Sequence, residues 1–117
     1  MLNKNRIDKV YLAVGPTDLR KSIDGLAVLV QEQFRLDPFS RSLFVFCNRK
    51  KDKIKILEWD HDGFWLYYKR LEKSRFQWPD GENGPLEIKE RELRWLLDGL
   101  SLRQYGAHRE VKERTII

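Results

Sequence analysis

Two aspartates separated by one residue, Asp60 and Asp62, are the side chains of this sequence that most directly suggest metal chemistry. Carboxylates at this spacing begin a calcium-binding loop, but the remaining ligands of such a loop are missing here. Asp60-His61-Asp62-Gly63 also has the composition of a tight turn, which is the stronger interpretation. Asp18 and Asp24 lie six residues apart, and a nuclease built on them would need a third acid supplied by the fold. A small metal-dependent nuclease is therefore the functional hypothesis that the sequence supports least.

Other catalytic and metal-binding chemistry finds little support in the sequence. Cys47 is the single cysteine, so an internal disulfide is excluded, and a buried thiol is the simplest interpretation of it. One cysteine with His61 and His108 provides too few ligands for a structural zinc site. His61 fits a solvated turn better than a general base, and no phosphate-binding glycine loop is present. We therefore expect a protein that is not an enzyme, with no catalytic residues, no metal and no cofactor.

The strongest local signal is a basic hairpin, Arg49-Lys50-Lys51-Asp52-Lys53, followed by Lys55. A β-ribbon with basic side chains at its tip is suited to neutralising phosphates along nucleic acid. The same lysines are also typical of a strand edge that is protected from aggregation. These residues alone are compatible with both explanations. The candidate nucleic-acid-binding residues are Arg49, Lys50, Lys51, Lys53, Lys55, Arg70, Lys73 and Arg75.

The charge of the chain is concentrated around this hairpin. The 117 residues carry a net charge of +5, and residues 35–75 hold eleven basic and six acidic side chains, which accounts for the whole excess. With 41% hydrophobic residues the chain is expected to form one folded domain. It contains no apolar run long enough to span a membrane and no recognisable signal peptide. The single cysteine favours a reducing compartment, so we expect a cytoplasmic protein.

The pattern of apolar residues predicts the elements that hold the hairpin. Strands are predicted over 7–14, 42–47, 53–59 and 64–69, and the last three form an antiparallel meander with a bulge at Leu57 as one option. A helix is predicted from Leu19 to Phe34 with Thr17 or Asp18 as its cap. Residues 71–78 are a candidate fifth strand, 79–85 read as a linker, and a short helix is expected near 89–97.

These elements predict an α+β fold: a mostly antiparallel sheet of about five strands, one main packed helix and a short C-terminal helix. Residues 1–102 are expected to form the single domain, and the polar residues 103–117 a loose C-terminal tail. One shared core is expected, and its members are Ile23, Leu26, Val30, Leu43, Val45, Ile54, Ile56 and Leu66.

Several motifs, in the right order, resemble a family of transposon proteins. They are Thr17–Leu26, Asp37–Ser40, Leu43–Phe46, Asn48–Lys53, Trp59–Phe64, Tyr68–Glu72 and Arg75–Pro79. Over about residues 8–100 the chain resembles the small accessory protein, called TnpB or Orf-two-like, of the IS66 family of bacterial insertion sequences. The resemblance implies association with transposition beside a separate, larger transposase, and it carries over no catalytic residues. The chain departs from the expected pattern at Leu19 and at Cys47.

Together with the basic hairpin, the resemblance favours a non-catalytic accessory protein of DNA transposition. This protein would bind nucleic acid, the transposase or both through the hairpin and the nearby aromatic side chains of the sheet. Its expected partners are DNA, including the element ends, and the larger transposase, with no membrane contact. The second hypothesis is a protein–protein adaptor without DNA affinity, which docks through its sheet edge, a helix or the tail.

Overall fold

Residues 7–103 are described by a computed structural model of the protein, and they form five strands and two helices. In chain order these are β1 (Lys9–Val14), α1 (Ile23–Glu32), β2 (Ser42–Cys47), β3 (Lys53–Asp60), β4 (Gly63–Arg70), β5 (Gly84–Ile88) and α2 (Glu90–Leu97). The strands form one sheet in the order β4-β3-β2-β1-β5. β1 and β2 are parallel, and the other three pairings are antiparallel. The α+β class and the mostly antiparallel sheet are therefore confirmed.

The sheet is covered on both faces, so its core is divided in two. Alternate residues of a strand point to opposite faces, and the inner strand β2 is buried along its whole length. On one face Leu43 and Val45 pack with Leu93 of α2. On the other face Phe44 and Phe46 of β2 pack with α1. The expected single core is wrong: Leu43, Val45, Ile54 and Ile56 lie on the α2 face, and Ile23, Leu26, Val30 and Leu66 lie on the α1 face.

The connection from β1 to α1 is longer than the sequence predicted. α1 begins at Ile23 after the N-cap Ser22, not at Leu19, and it ends at Glu32 rather than Phe34. The Asp18 carboxylate accepts a hydrogen bond from the backbone N–H of Arg20, two residues later, so it stabilises a local turn and does not cap the helix.

The fifth strand is β5 and not residues 71–78. Gly84 and Pro85, which read as a linker, pair with Val14 and Ala13 at the outer side of β1. The apolar residues of the predicted strand are buried individually instead: Phe76 and Trp78 fill the core on the α2 face. Proline is compatible with this strand because β5 is a sheet edge, where a missing N–H breaks no ladder bond.

The β3–β4 hairpin has an unbroken register. Leu57 is paired with both Phe44 and Leu66, so the bulge considered at Leu57 does not form. Glu58 is buried on the α2 face, where its carboxylate accepts a 2.8 Å hydrogen bond from the Tyr67 hydroxyl. The left-handed residue of the turn is His61, with φ of 57°.

The predicted tail 103–117 lies outside the described residues except for Arg103. Within residues 7–103, no helix combines the length and the apolar character that crossing a membrane requires.

Candidate nucleic-acid interface

The basic hairpin forms one side of a groove at the end of the sheet where β1 and β2 finish. Because these two strands are parallel, the loops that follow them meet there, and the Thr17 N–H donates to the Cys47 carbonyl at 2.8 Å. The carboxyl ends of parallel strands are a common location for ligand sites in α/β sheets. The groove has a volume of about 920 Å³ and is lined by 16–20, 48–50, Lys53, Lys55, Leu66 and Tyr68. We call it the cationic groove.

Side chains of one sign dominate this groove. Its basic lining residues are Arg20, Arg49, Lys50, Lys53 and Lys55, against the single acid Asp18. Arg20 is matched to Asp18 by a 2.8 Å ion pair. Hydrogen bonds from Arg20 hold the pKa of the Asp18 carboxyl well below its usual range, so this acid stays ionised and neutralises only its neighbour. The remaining four cations have no acidic partner among the lining residues.

The turn from Asn48 to Asp52 is held in shape by its first side chain. The Asn48 carboxamide oxygen accepts the backbone N–H groups of Asp52 at 3.1 Å and Lys53 at 3.0 Å, and its nitrogen donates to the Asp52 carboxylate at 2.7 Å. The last of these bonds lowers the pKa of Asp52. Lys51 adopts the left-handed conformation, with φ of 63°. A turn fixed in this way presents the residues inside it in one orientation.

The same turn is anchored from the other side by the chain that follows β4. The N–H of Leu71 donates to the Asp52 carbonyl at 2.8 Å, and the N–H of Phe76 donates to the Lys51 carbonyl at 2.7 Å. Phe76 is buried, and the buried Trp78 donates its indole N–H to the Ala13 carbonyl at 3.0 Å. The Asn48–Asp52 turn is therefore connected to the core and is not a projecting loop.

Arg49 and Lys50 are the cations best placed to bind a ligand. Both are exposed, and within residues 7–103 neither side chain makes an ion pair or a hydrogen bond. Lys53 lies 3.7 Å from the Asp52 carboxylate and is half-buried. Two unpaired cations on a fixed turn can exchange their hydration for phosphate oxygens without first breaking a protein contact.

Lys55 has a structural function in addition to its charge. Its ammonium group donates to the carbonyls of Leu19 at 2.7 Å and Lys21 at 3.2 Å, and so ties β3 to the loop between β1 and α1. The same group lies 5.9 Å from the ring centroid of Tyr68, which is 53% exposed. Lys55 therefore positions one wall of the groove and supplies positive charge beside an accessible aromatic ring.

The other four predicted residues do not line the cationic groove. Lys51 lines a smaller, separate cavity that shares Asn48 and Arg49 with the groove, and its ammonium group lies 3.2 Å from the Asp80 carboxylate. Arg70 is opposite Lys53 in the β3–β4 register and is neutralised by Glu72 at 2.8 Å. Lys73 and Arg75 are exposed on the segment that follows β4. The structure therefore brings Arg49, Lys50, Lys53 and Lys55 together and separates the remainder.

The acidic residues do not assemble into a site. Asp60 accepts a 2.9 Å hydrogen bond from the indole N–H of Trp65, and Asp62 is an exposed turn residue. Asp24 lies in the first turn of α1, a different element from the β3–β4 turn. In the part of the chain that the structure describes, no three Asp, Glu, His or Cys side chains are grouped so that they can hold a metal ion.

Comparison with known proteins identifies the family. A family model described as IS66 Orf2-like protein matches residues 8–107. The chain belongs to this family. Two proteins of Sinorhizobium fredii are also similar: "Uncharacterized protein y4hO" is 38% identical over 103 residues, covering 88% of this chain and 90% of that protein. "Uncharacterized protein y4jC" is 31% identical over 100 residues, covering 86% of each chain. No solved structure matches.

The family match confirms the resemblance seen in the sequence. Membership of the IS66 Orf2-like family implies an accessory protein of an insertion sequence. Sequence analysis missed the loop from Pro16 to Arg20 as part of the groove, and of the aromatic side chains expected near the hairpin only Tyr68 lines it. The parallel pairing of β1 with β2 was the information needed, because it brings that loop beside the turn that follows β2.

Proposed function

We propose that this protein is a non-catalytic, cytoplasmic accessory protein of transposition that binds DNA through its cationic groove. The observation that carries the proposal is the grouping of Arg49 and Lys50, which are exposed and unpaired within residues 7–103, with Lys53 and Lys55 in one groove. A phosphate backbone bound there would relieve the repulsion among these charges and release condensed counterions. The proposed DNA ligand is the ends of the insertion sequence. The proposed protein partner is the transposase of the same element.

Tyr68 gives the groove an exposed aromatic ring, which is not required for phosphate binding but can contact a base. Its exposed face and the neighbouring Lys55 suit the stacking of an unpaired base. Both a duplex and a single strand should therefore be used as probes. A preference for the single strand that disappears in a Tyr68→Ala variant, but not in Tyr68→Phe, would support stacking.

The test is the affinity of the full chain for fluorescently labelled DNA, measured by anisotropy at low salt. The variant Arg49→Ala/Lys50→Ala removes two charges from the groove. The control Lys73→Ala/Arg75→Ala removes the same charge from exposed positions that do not line it. We expect the groove variant to bind at least about tenfold more weakly and the control to change affinity by less than about threefold. Equal losses would show that only net charge matters.

The adaptor hypothesis predicts a different result. An adaptor would show no DNA binding at low salt, yet it would capture the transposase of the element in a pull-down without DNA. If both partners bind, adding element-end DNA to the pull-down should increase capture of the transposase. The nuclease hypothesis predicts nicking of supercoiled plasmid with magnesium or manganese that is lost in Asp60→Ala or Asp24→Ala. We expect the plasmid to remain intact.

A further inference from the structure

The two edges of the sheet differ in how they are protected. β5 is five residues long and contains Pro85, a residue that prevents another strand from pairing there. β4 is eight residues long, has no proline, and carries the uninterrupted run Phe64-Trp65-Leu66-Tyr67-Tyr68. Within residues 7–103, its outer side makes no backbone hydrogen bond. A long edge strand of this composition is a template for pairing with another strand.

The hairpin register determines which backbone groups of β4 face outward. Asp60 and Gly63 are paired across the two-residue turn, and such a closing pair exchanges both of its hydrogen bonds. Bonded and non-bonded pairs alternate from that point along an antiparallel ladder. The N–H and C=O groups of Phe64, Leu66 and Tyr68 therefore point away from β3.

We propose that β4 pairs antiparallel with β4 of a second copy of this chain, with the two-fold axis at Leu66. This register bonds Leu66 to Leu66 and Phe64 to Tyr68, using only the outward backbone groups. It places Tyr67 opposite Trp65, and aromatic pairs of this kind stabilise neighbouring strands. It also places Arg70 opposite Asp62 at both ends of the interface. The result is a continuous sheet of ten strands built from two identical copies.

Charge favours the register about Leu66 over the one with its axis at Tyr67. Moving the two-fold axis by one residue, to Tyr67, keeps the outward groups paired but brings Asp62, in the turn before β4, opposite Glu72, in the segment after it. Like charges that face each other across strands are destabilising. The register about Leu66 instead gives two opposite-charge pairs. Because Arg70 already lies 2.8 Å from Glu72, each dimer end would hold one cation between two carboxylates.

The pairing of two β4 strands is independent of the proposed DNA binding. An antiparallel pairing within a sheet keeps the same face of both copies on the same side. The two cationic grooves would then lie on one face of the dimer, related by the two-fold axis.

The test is the mass of the full chain in solution, measured by light scattering during size exclusion and by sedimentation over a range of concentrations. We expect a species of twice 14.1 kDa at micromolar concentration. Asp62→Arg and Arg70→Asp should each raise the dimer dissociation constant about tenfold, because each turns two attractive pairs into repulsive ones. The combined variant Asp62→Arg/Arg70→Asp should restore the unmodified value to within about threefold.

A backbone variant tests the pairing separately. Tyr68→Pro removes both the ring and an outward N–H, whereas Tyr68→Ala removes the ring and keeps that N–H, so the proline variant should weaken the dimer at least about tenfold more than the alanine variant. Circular dichroism checks that each variant is folded. A chain that is monomeric at every concentration would overturn the proposal. So would a dimer that survives Tyr68→Pro unchanged, or a combined charge exchange that binds no better than the single variants.

Discussion

The meander β2–β3–β4 contains two charged turns, and they have very different surroundings. The Asn48–Asp52 turn is bonded internally by the Asn48 side chain and externally by Leu71 and Phe76. The turn at His61 and Asp62 has two residues, both exposed. The first turn lies where two parallel strands end and contributes to a groove. A cluster of charged side chains is therefore a candidate binding site where the fold holds its backbone in one conformation and places a second loop beside it to form a groove.

The largest expected effect concerns the reactivity of the Cys47 thiol, which directly precedes the Asn48–Asp52 turn. Burial raises the pKa of Cys47 to about 12, compared with 9.0 for an exposed thiol. At pH 8 the thiolate fraction is then about a thousandfold smaller in the folded chain than in the unfolded chain. We expect a colorimetric thiol reagent to react at least that much more slowly before urea is added than after. Rapid reaction of the folded protein would mean that the start of this turn opens readily.

The same shift has a defined sign for stability. Because the folded pKa is raised, the contribution of the Cys47 thiol is complete below pH 9.0 and is lost as the pH rises from there towards about 12. A Cys47→Ala variant should therefore lose less stability than the unmodified chain between pH 8 and pH 10, as measured by urea unfolding.

The next prediction compares one residue from each turn. Asn48→Ala removes three half-buried hydrogen bonds and should lower the free energy of unfolding by about 1–3 kcal/mol. Asp62→Ala changes an exposed turn residue and should stay within about 0.5 kcal/mol. Urea unfolding of the two variants beside the unmodified chain measures both values. If the two substitutions cost the same, the contrast between the turns is wrong.

The smallest effect concerns the left-handed residue in each turn. Lys51 and His61 have φ of 63° and 57°, which favour glycine. His61→Gly should stabilise the protein by up to about 1 kcal/mol in thermal unfolding. Lys51→Gly should gain less, because it also removes the ion pair between Lys51 and Asp80. A larger gain at Lys51 would show that this ion pair contributes nothing.

Short-range sequence patterns predict the strands and turns whose contacts lie close together in the sequence. Alternating residues such as Ile54, Lys55 and Ile56 identified β3, and the turns on either side identified the meander. The parallel pairing of β1 with β2 depends on contacts across α1, and no spacing in the sequence reports it. For this reason the sequence identifies the hairpin as a candidate site but not the loop that completes the groove.

Two secondary-structure predictions are wrong for the same physical reason. An apolar or a turn-forming residue is compatible with more than one kind of backbone structure. Phe76 and Trp78 suggested a strand, but they are buried as separate side chains below the first turn. Gly84 and Pro85 suggested a linker, but they pair with β1 at an edge that tolerates proline. Similarly, the basic residues predicted as one patch divide according to their acidic neighbours, with Lys51 near Asp80 and Arg70 near Glu72.

The central claim is that the Asn48–Asp52 turn presents Arg49 and Lys50 as phosphate ligands. The most direct test is the salt dependence of DNA affinity for the unmodified chain, Arg49→Ala/Lys50→Ala and Lys73→Ala/Arg75→Ala. Each lost phosphate contact lowers the slope of log affinity against log salt by about 0.9. We predict a slope smaller by about 1.8 for the groove variant and nearly unchanged for the control. Identical slopes in all three proteins, or no DNA binding by the unmodified chain at low salt, would contradict the claim.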